Sequence, residues 1–548
     1  MKKNFCACSR TPKEGYVPGI GKHGKIYFML TCLLMIISSA SFARFIYYSS
    51  EILEYAQTGS LAEMLRVTWI SLGFLALKFA AAMGATGTRL AFLSDGTIRM
   101  RRELIRSIFL RRIQSFRGQN DAYYLNLLGA DTDIYSLERL NMIPWIFSGV
   151  VDIVIFAVSL FLLSPWLLAV SVALAALPFL VGQMFSRMTQ QRKQAYSKAS
   201  EAFTGMLKEG IEGYEPLRLG QETESYIEKF LDACTRRQRA YTASSLANAV
   251  SMQTLYVTAC VLSVGCTAVG GWLLIRGALS VAMLFAAVSY SGNLSNAFSN
   301  IAEYIITIRS TKKIAEKLHA ECHIDAVPQA RSLAAAEPEI AYENVSFSFG
   351  GRKLYENFSY HFKKNGCYAI IGESGSGKST LLKLLLKYYD DYSGTIKLSG
   401  YNIKNLSEDE IFEAIGVVDQ TTFLFNATLY ENIMLFGHEI AEDSEEYRKL
   451  LQAVNLTALA ERVGDKPLGD FGDKISGGER QRIVLARTMR RHPGIVLFDE
   501  PTTGLDPENV ALINSFIFDH KDMLRIVVGH NWDQNYLEQF DGVIRVGT

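Results

Sequence analysis

The sequence predicts a helical membrane domain of six spans followed by an α/β phosphate-binding domain. Three observations predict it. Six long apolar runs lie within the first 310 residues. A glycine-rich stretch, Gly372-Glu-Ser-Gly-Ser-Gly-Lys-Ser-Thr380, stands between a strand-like run, Cys367-Tyr-Ala-Ile-Ile371, and a helix-like run, Leu381-Leu-Lys-Leu-Leu-Leu-Lys387. Further apolar runs of strand length recur after residue 338, each ending in polar or charged residues.

The chain has 548 residues, enough for two or more domains, and is 49% hydrophobic. A net charge of +1 argues against a nucleic-acid partner. The eight cysteines are scattered, and Cys6-Ala-Cys8 has no matching ligand pair, so reduced thiols are expected and a zinc site is not.

Residues 1–25 carry six Lys and Arg against Glu14 and form a basic N-terminus. Twenty-five residues are too few for a peptidase domain, so leader processing in cis is not expected. Apolar runs follow at 26–48, 61–88, 142–163, 166–186, 246–275 and 281–307. Each is long enough to cross a hydrocarbon core of about 30 Å as a helix. Lys and Arg fix the orientation. The loop 49–60 has Glu51 and Glu54 but no Lys or Arg, whereas 89–141 holds Arg99, Arg101, Arg102, Arg106, Arg111, Arg112 and Arg117. The N-terminus and the second domain are therefore expected on the cytoplasmic side, in a bacterial plasma membrane. The membrane domain is bounded at 26–310, the polar linker at 311–337 and the phosphate-binding domain at 338–548.

The inner connections 89–141 and 187–245 keep helical periodicity, so their helices should continue below the membrane. Each breaks at small or turn residues, Gly118–Asp121 with Gly129 and Gly210 with Gly213–Pro216. These breaks suit short transverse helices that touch a cytoplasmic partner, or exposed loops. Ionisable residues within spans face protein or water. Lys78 and Asp152 are expected to form an ion pair, with contact to a transported substrate as the alternative. Asn293, Asn296 and Asn300 recur at helical spacing, either lining a central cavity or joining helices. These five residues are the candidate substrate cavity.

In the second domain the physics of the glycine loop is direct. Gly375 and Gly377 let the backbone curl so that N–H groups point at phosphate oxygens, and the following helix turns its positive end to the same anion. The candidate ATP-binding residues are Gly372, Glu373, Ser374, Gly375, Ser376, Gly377, Lys378, Ser379 and Thr380. Lys378 brings charge to the β- and γ-phosphates and Ser379 a hydroxyl to Mg²⁺. Phe349, at the end of a strand, is placed to stack on adenine. Ile475-Ser-Gly-Gly-Glu-Arg-Gln-Arg482 puts Ser476, Gly477 and Gly478 at a helix start, a second phosphate-binding device. Two such devices make sense if each completes the site of another copy. Ile495-Val-Leu-Phe-Asp-Glu500 is a buried strand ending in two carboxylates: Asp499 to hold Mg²⁺ and Glu500 as general base. Ile526-Val-Val-Gly-His530 ends in a His placed to reach the γ-phosphate. Asn426-Ala-Thr428 matches a glycosylation sequon but falls in the cytoplasmic domain, so modification is not expected.

The order of the glycine loop, Gln420, ISGGERQR, IVLFDE, TTGLD506 and His530 resembles the nucleotide-binding domain of ABC transporters. With six spans ahead of it, nearly the whole chain is similar to an exporter-type half-transporter of the type IV fold. The resemblance implies an ATP hydrolase coupled to transport, with ATP and Mg²⁺ as cofactors. Lys378, Gln420, Glu500 and His530 would be catalytic, Gln420 would also face the metal, and Asp506 would contact nucleotide. It implies a dimer, with itself or with a sister subunit, in which two ATP molecules lie between the glycine loop of one subunit and ISGGERQR, the family's signature sequence, of the other. It also implies that the inner-loop breaks are coupling helices and that an amphipathic small molecule, lipid or peptide crosses the bilayer by alternating access. Outward movement is expected. An importer on the same fold, for example of a metal-siderophore, and an ATP-gated regulator are the alternatives. The chain departs from the common pattern at Ile475, Glu479, Phe349 and Gly529, and it ends 18 residues after His530, which bears on any tail contribution to the dimer.

Overall fold

The computed structural model describes residues 21–322 and 337–547, apart from 374, 420–422, 470, 471, 473, 503–506 and 531. The basic residues up to Arg10 and Lys13, most of the linker, and the site residues Ser374, Gln420 and Asp506 lie outside the described residues. Contacts divide the chain into two compact units. One is Met1–Leu110 with Gln119–Ile324, the other Arg111–Gly118 with Asp325–Thr548.

The first unit is helical. Its elements are α1 (Lys22–Thr58) and α2 (Leu61–Phe109), then, past α3 (Ile113–Arg117) of the second unit, α4 (Asp121–Asn126), α5 (Thr132–Tyr135), α6 (Met142–Leu163), α7 (Pro165–Glu212), α8 (Tyr214–Leu219), α9 (Thr223–Ile275), α10 (Val281–Ser310) and α11 (Lys312–Glu321). Each expected span falls inside one of α1, α2, α6, α7, α9 and α10. Lys22–Thr58, Leu61–Phe109, Tyr123–Leu163 and Thr223–Ile275 are long and apolar enough to cross a membrane among the described residues. α2, α7 and α9 have 49, 48 and 53 residues. At 1.5 Å per residue each is about 70–80 Å long, more than twice a hydrocarbon core. The helices thus run on well past the apolar runs they contain.

α10 is packed by small residues. Ala282, Ala286, Ala287, Ser291, Ser295 and Ala297 are buried along it, which lets neighbouring backbones approach closely. Gly149 of α6 is one point of approach: a Cβ there would lie 2.6 Å from Ile301. Tyr290 ties α10 to α1 by donating its hydroxyl to the Ala43 carbonyl at 2.8 Å. One expectation is corrected here. The stretch read as a polar linker opens with α11, which buries Ala315 and Leu318. Its Lys, Ala and Glu content is that of a good helix former, so the composition was a helix signal.

The second unit holds two sheets. β1 (Ile340–Phe349), β2 (Arg352–Phe362), β4 (Ser393–Leu398) and β5 (Tyr401–Asn402) form an antiparallel sheet in the order β2-β1-β4-β5. β3 (Cys367–Ile371), β6 (Ile415–Val418), β7 (Ile495–Asp499), β8 (Leu524–Gly529) and β9 (Gly542–Arg545) form a parallel sheet in the order β6-β7-β8-β3-β9. Around them lie α12 (Lys378–Leu385), α13 (Glu408–Ala414), α14 (Leu429–Met434), α15 (Glu445–Ala453), α16 (Thr457–Val463), α17 (Gly477–Met489), α18 (Pro507–Asp519) and α19 (Gln534–Leu537).

The parallel sheet is covered on both faces, so its strands are apolar throughout. Alternate residues feed different cores: Ile370, Leu497 and Ile526 one, Ala369, Phe498 and Val527 the other. The strand order sets β7, β8 and β3 side by side, so the loops leaving their carboxyl ends meet at one edge, where ligands bind in open α/β sheets. Phe498 is fully buried between two strands of that edge. Phe498→Ala should cost about 3–5 kcal/mol and lower the thermal midpoint of the full-length chain. An unchanged melting temperature would show that this core does not carry the fold.

Candidate functional site

β3 delivers the glycine loop to the sheet edge. Gly375 and Gly377 have φ of +78° and +104°, which L side chains rarely adopt. At Gly377 a Cβ would also press within 3.2 Å of the Tyr355 hydroxyl, which donates to the Gly377 carbonyl at 2.7 Å. The loop is thus pinned from β2. Lys378 is buried, and its ammonium donates to the carbonyls of Gly372 and Glu373 at 2.9 and 2.8 Å. The lysine charge therefore sits inside the curl of the loop. Ser376 N–H donates to Glu373 and Thr380 N–H to Gly377, closing the turn. The Ser376 hydroxyl is buried with no hydrogen-bond partner among the described residues.

β7 brings the carboxylates. Ser379 donates its hydroxyl to Asp499 at 2.9 Å. Burial pushes the Asp499 carboxyl above its ordinary range, against the pull of the Ser379 hydrogen bond. Glu500 then turns off the strand. Its N–H donates to the Val528 carbonyl at 3.0 Å and its φ is +49°. A left-handed conformation costs a non-glycine residue about 1–2 kcal/mol, and such strain collects at functional sites. The turn carries the Glu500 carboxylate to His530 at the end of β8, where Nδ1 and Oε1 stand 3.2 Å apart. The structure thus brings Lys378, Ser379, Asp499, Glu500 and His530 to one edge.

Phe349 ends β1 with 58% of its surface exposed and packs edge-on to Tyr389 at 5.7 Å. The signature segment starts α17. Ser476 caps it: its hydroxyl accepts from Glu479 N–H at 3.2 Å, and the Glu479 carboxylate accepts from Ser476 N–H at 2.9 Å. Burial raises the Glu479 carboxyl, but the Ser476 N–H and Arg462 outweigh it, and the net shift is downward. Gly478 is a close-approach glycine, since a Cβ there would meet the Asn509 amide at 2.2 Å.

A second knot was not legible in the sequence. Arg487, near the end of α17, donates to the carbonyls of Asn432 and Phe423, each at 2.6 Å, and to the Asn432 side chain at 2.9 Å. Asn432, itself fully buried, donates to the carbonyls of Phe425, Ala427 and Thr428. This network fixes the segment that follows Gln420 in the chain.

In the first unit a cavity of about 290 Å³ is lined by Lys78, Arg89, Asp152, Asn293, Phe42 and Trp145, among others. Three of the five candidate cavity residues therefore meet. Two corrections apply. Lys78 and Asp152 do not close an ion pair within 4.0 Å: the Lys78 ammonium lies over the Phe42 ring at 3.8 Å, and Asp152 accepts from the Ser39 hydroxyl. Asn296 and Asn300 are exposed and do not line this cavity; only Asn293 of the stripe does. Arg89 was missed. It donates to Asn141 at 2.5 Å and lies over the Trp145 ring at 5.0 Å. It stands one residue past the apolar run 61–88, where nothing in the sequence sets it apart from the arginines that follow.

Residues 26–298 match the family described as ABC transporter transmembrane region, and residues 355–503 match the family described as ABC transporter. The chain belongs to the ABC transporter family. Relatives of this ABC transporter differ in what they are named for. Over 330 residues it is 31% identical to the mitochondrial iron-sulfur clusters transporter ATM1 of Candida glabrata, covering 58% of this chain and 45% of that protein. Over 368 residues it is 26% identical to the mycobactin import ATP-binding/permease protein IrtB of Mycolicibacterium thermoresistibile, covering 65% and 63%. The chain thus spans less than two thirds of each of these relatives. A solved structure described as a bacterial Atm1-family ABC exporter with ATP bound shares its fold, with a TM-score of 0.85 at 20% identity over 96% of this chain and 93% of that one.

The Tyr355 bond gives a direct test of the pinned loop. Tyr355→Phe keeps the ring and drops a hydrogen bond of about 1 kcal/mol, so ATP affinity should fall about fivefold in an equilibrium titration. Unchanged affinity would show that the loop holds its shape without β2.

Proposed function

We propose that two copies of this chain, or this chain and a sister subunit, form an ATP-driven transporter in a bacterial plasma membrane that moves a small amphipathic solute outward. The observation that carries the reading is the meeting of Lys378, Ser379, Asp499, Glu500 and His530 at one sheet edge. The residues fit the cofactors. Mg²⁺ takes oxygen ligands, and the Ser379 hydroxyl and Asp499 carboxylate offer oxygens 2.9 Å apart from separate elements. The curled loop with its buried lysine and the unpartnered Ser376 hydroxyl suits a phosphate chain. When bound, Mg-ATP supplies the phosphoanhydride whose cleavage drives the cycle.

The protein's part is positioning and charge. Lys378 would bind phosphate oxygens and offset their charge. Glu500 would accept the proton of the attacking water, and His530, held against Glu500, would orient that carboxylate toward the γ-phosphate. Gln420 and Asp506 keep the expected roles at metal and nucleotide. The N–H groups at the start of α17, from Ser476 to Gly478, would close the site from the other subunit. This explains why one chain carries two phosphate-binding devices.

The cavity charge bears on the solute. Lys78 and Arg89 are two cations against the single carboxylate of Asp152 among the residues that line it. A cation inside a bilayer needs a counter-charge, so a solute bearing an acidic group suits this cavity, with Phe42 and Trp145 against its apolar part. The relative named for mycobactin import keeps inward movement as the second reading.

Two outcomes follow. Glu500→Gln should retain ATP binding and lose about a hundredfold or more in phosphate release; normal release would remove Glu500 from the reaction. ATP-dependent accumulation of a labelled acidic solute is expected in inside-out vesicles, and accumulation in right-side-out vesicles alone would reverse the direction.

A further inference from the structure

Gly529, one of the positions at which the chain departs from the common pattern, stands immediately before His530 at the end of β8. Its backbone does not call for glycine, since its φ lies outside the left-handed region. Space does. A Cβ at Gly529 would lie 2.1 Å from Cζ2 of Trp532 and 2.6 Å from both Cε2 and Cη2. Val527 and Gly529 share one face of the strand, and Val527 is fully buried there in the core against which Trp532 also packs. The six-membered ring of the indole therefore occupies the place that a side chain at 529 would fill.

The ring is not free to swing away. It stacks on Phe540 at 5.6 Å with the planes 13° apart, and tilts against Tyr536 at 5.1 Å. Phe518 completes the cluster, 5.7 Å from Tyr536 and 5.1 Å from Phe540. Hydrogen bonds fix this frame. The Tyr536 hydroxyl donates to the Asn514 side chain at 2.7 Å, and the Tyr536 N–H donates to the Asp533 carboxylate at 2.7 Å, at the start of α19. Gly529 in turn is set in the sheet: it pairs with Ile371, the last residue before the glycine loop, and its neighbour Val528 accepts the Glu500 N–H. Trp532 follows His530 in the chain yet lies against the residue before it. The turn is thus held from both sides at His530, whose Nδ1 stands 3.2 Å from Glu500 Oε1.

We propose that Trp532 is a positioning residue for His530: its indole, seated on the bare Cα of Gly529, holds the turn in which His530 faces Glu500. Positions 529 and 532 share one volume, so a larger side chain at one requires a smaller one at the other. This rests on the reading of Glu500 and His530 as members of the hydrolytic site. A misplacement of about 1 Å near a reacting group can cost about a hundredfold in rate. Lys378 and Ser379 belong to α12, so ATP binding does not pass through the indole.

Steady-state ATP hydrolysis by the full-length chain in lipid nanodiscs tests this. Trp532→Leu should lower kcat about tenfold and leave KM for ATP unchanged. Gly529→Val should do the same by pushing the ring aside. The double variant, in which the two changes offset in volume, should return kcat to within about threefold of wild type. Trp532→Phe keeps an aromatic ring in the stack and should retain most of the rate. In a His530→Ala background Trp532→Leu should cost nothing further, a non-additivity that a merely structural role would not produce. The proposal is overturned if Trp532→Leu leaves kcat unchanged or raises KM instead, if the double variant is as slow as the two single effects multiplied, if Trp532→Phe is as slow as Trp532→Leu, or if Trp532→Leu slows the His530→Ala chain as much as the wild type. Should Gly529→Val not fold, Trp532→Leu with and without His530 decides alone. Normal hydrolysis by His530→Ala would remove His530 from the reaction and this proposal with it, whereas a loss in His530→Ala with none in Trp532→Leu removes this proposal only.

Discussion

The hydrogen bond from Ser379 to Asp499 joins the first turn of the glycine-loop helix to the last residue of β7. Most of the nucleotide edge depends on the register that makes this bond possible. β7 pairs with β8, and β8 with β3, so that Asp499 lies opposite Val528 and Ile371 opposite Gly529. A slip of one residue would turn every side chain to the opposite core and part the hydroxyl from the carboxylate. The two cores that grip alternate residues of these strands are therefore what hold the site in shape.

Much of this architecture was legible in the sequence. Apolar runs of membrane length and a glycine loop between strand and helix are local signals with direct physical causes. What was not legible lies in contacts between distant segments. Ile113 and Glu408 are 295 residues apart, and nothing in either neighbourhood marks the other as its partner. Tyr355 sits in an alternating strand where its hydroxyl reads as ordinary. Lys78 and Asp152 show the converse error. Opposite charges in two spans suggest a pair, yet a serine and a phenylalanine ring each took one of them. Charge alone does not choose a partner where hydroxyls and aromatic faces are closer.

Buried polar groups are handled in two ways. Asn432 and Arg487 of the nucleotide-binding unit are tied into one network, and burial depresses the pKa of the arginine to about 10. In the helical unit, the hydroxyls of Ser291, Ser295 and Ser299 of α10 are buried with no hydrogen-bond partner among the described residues. Networks of the first kind hold one geometry. A serine face of the second kind packs closely without committing its hydroxyls, and leaves α10 fewer bonds to break when it shifts against its neighbours.

The length of α2, α7 and α9 gives these helices a mechanical character. A continuous hydrogen-bonded rod of more than thirteen turns resists bending far better than a jointed one, and no proline interrupts α2 or α9. A tilt of a few degrees imposed at one end becomes a displacement of several ångströms at the other. Movements no larger than a side chain can thus serve as input at one end of such a rod, and gaps wide enough for a solute can be the output at the other.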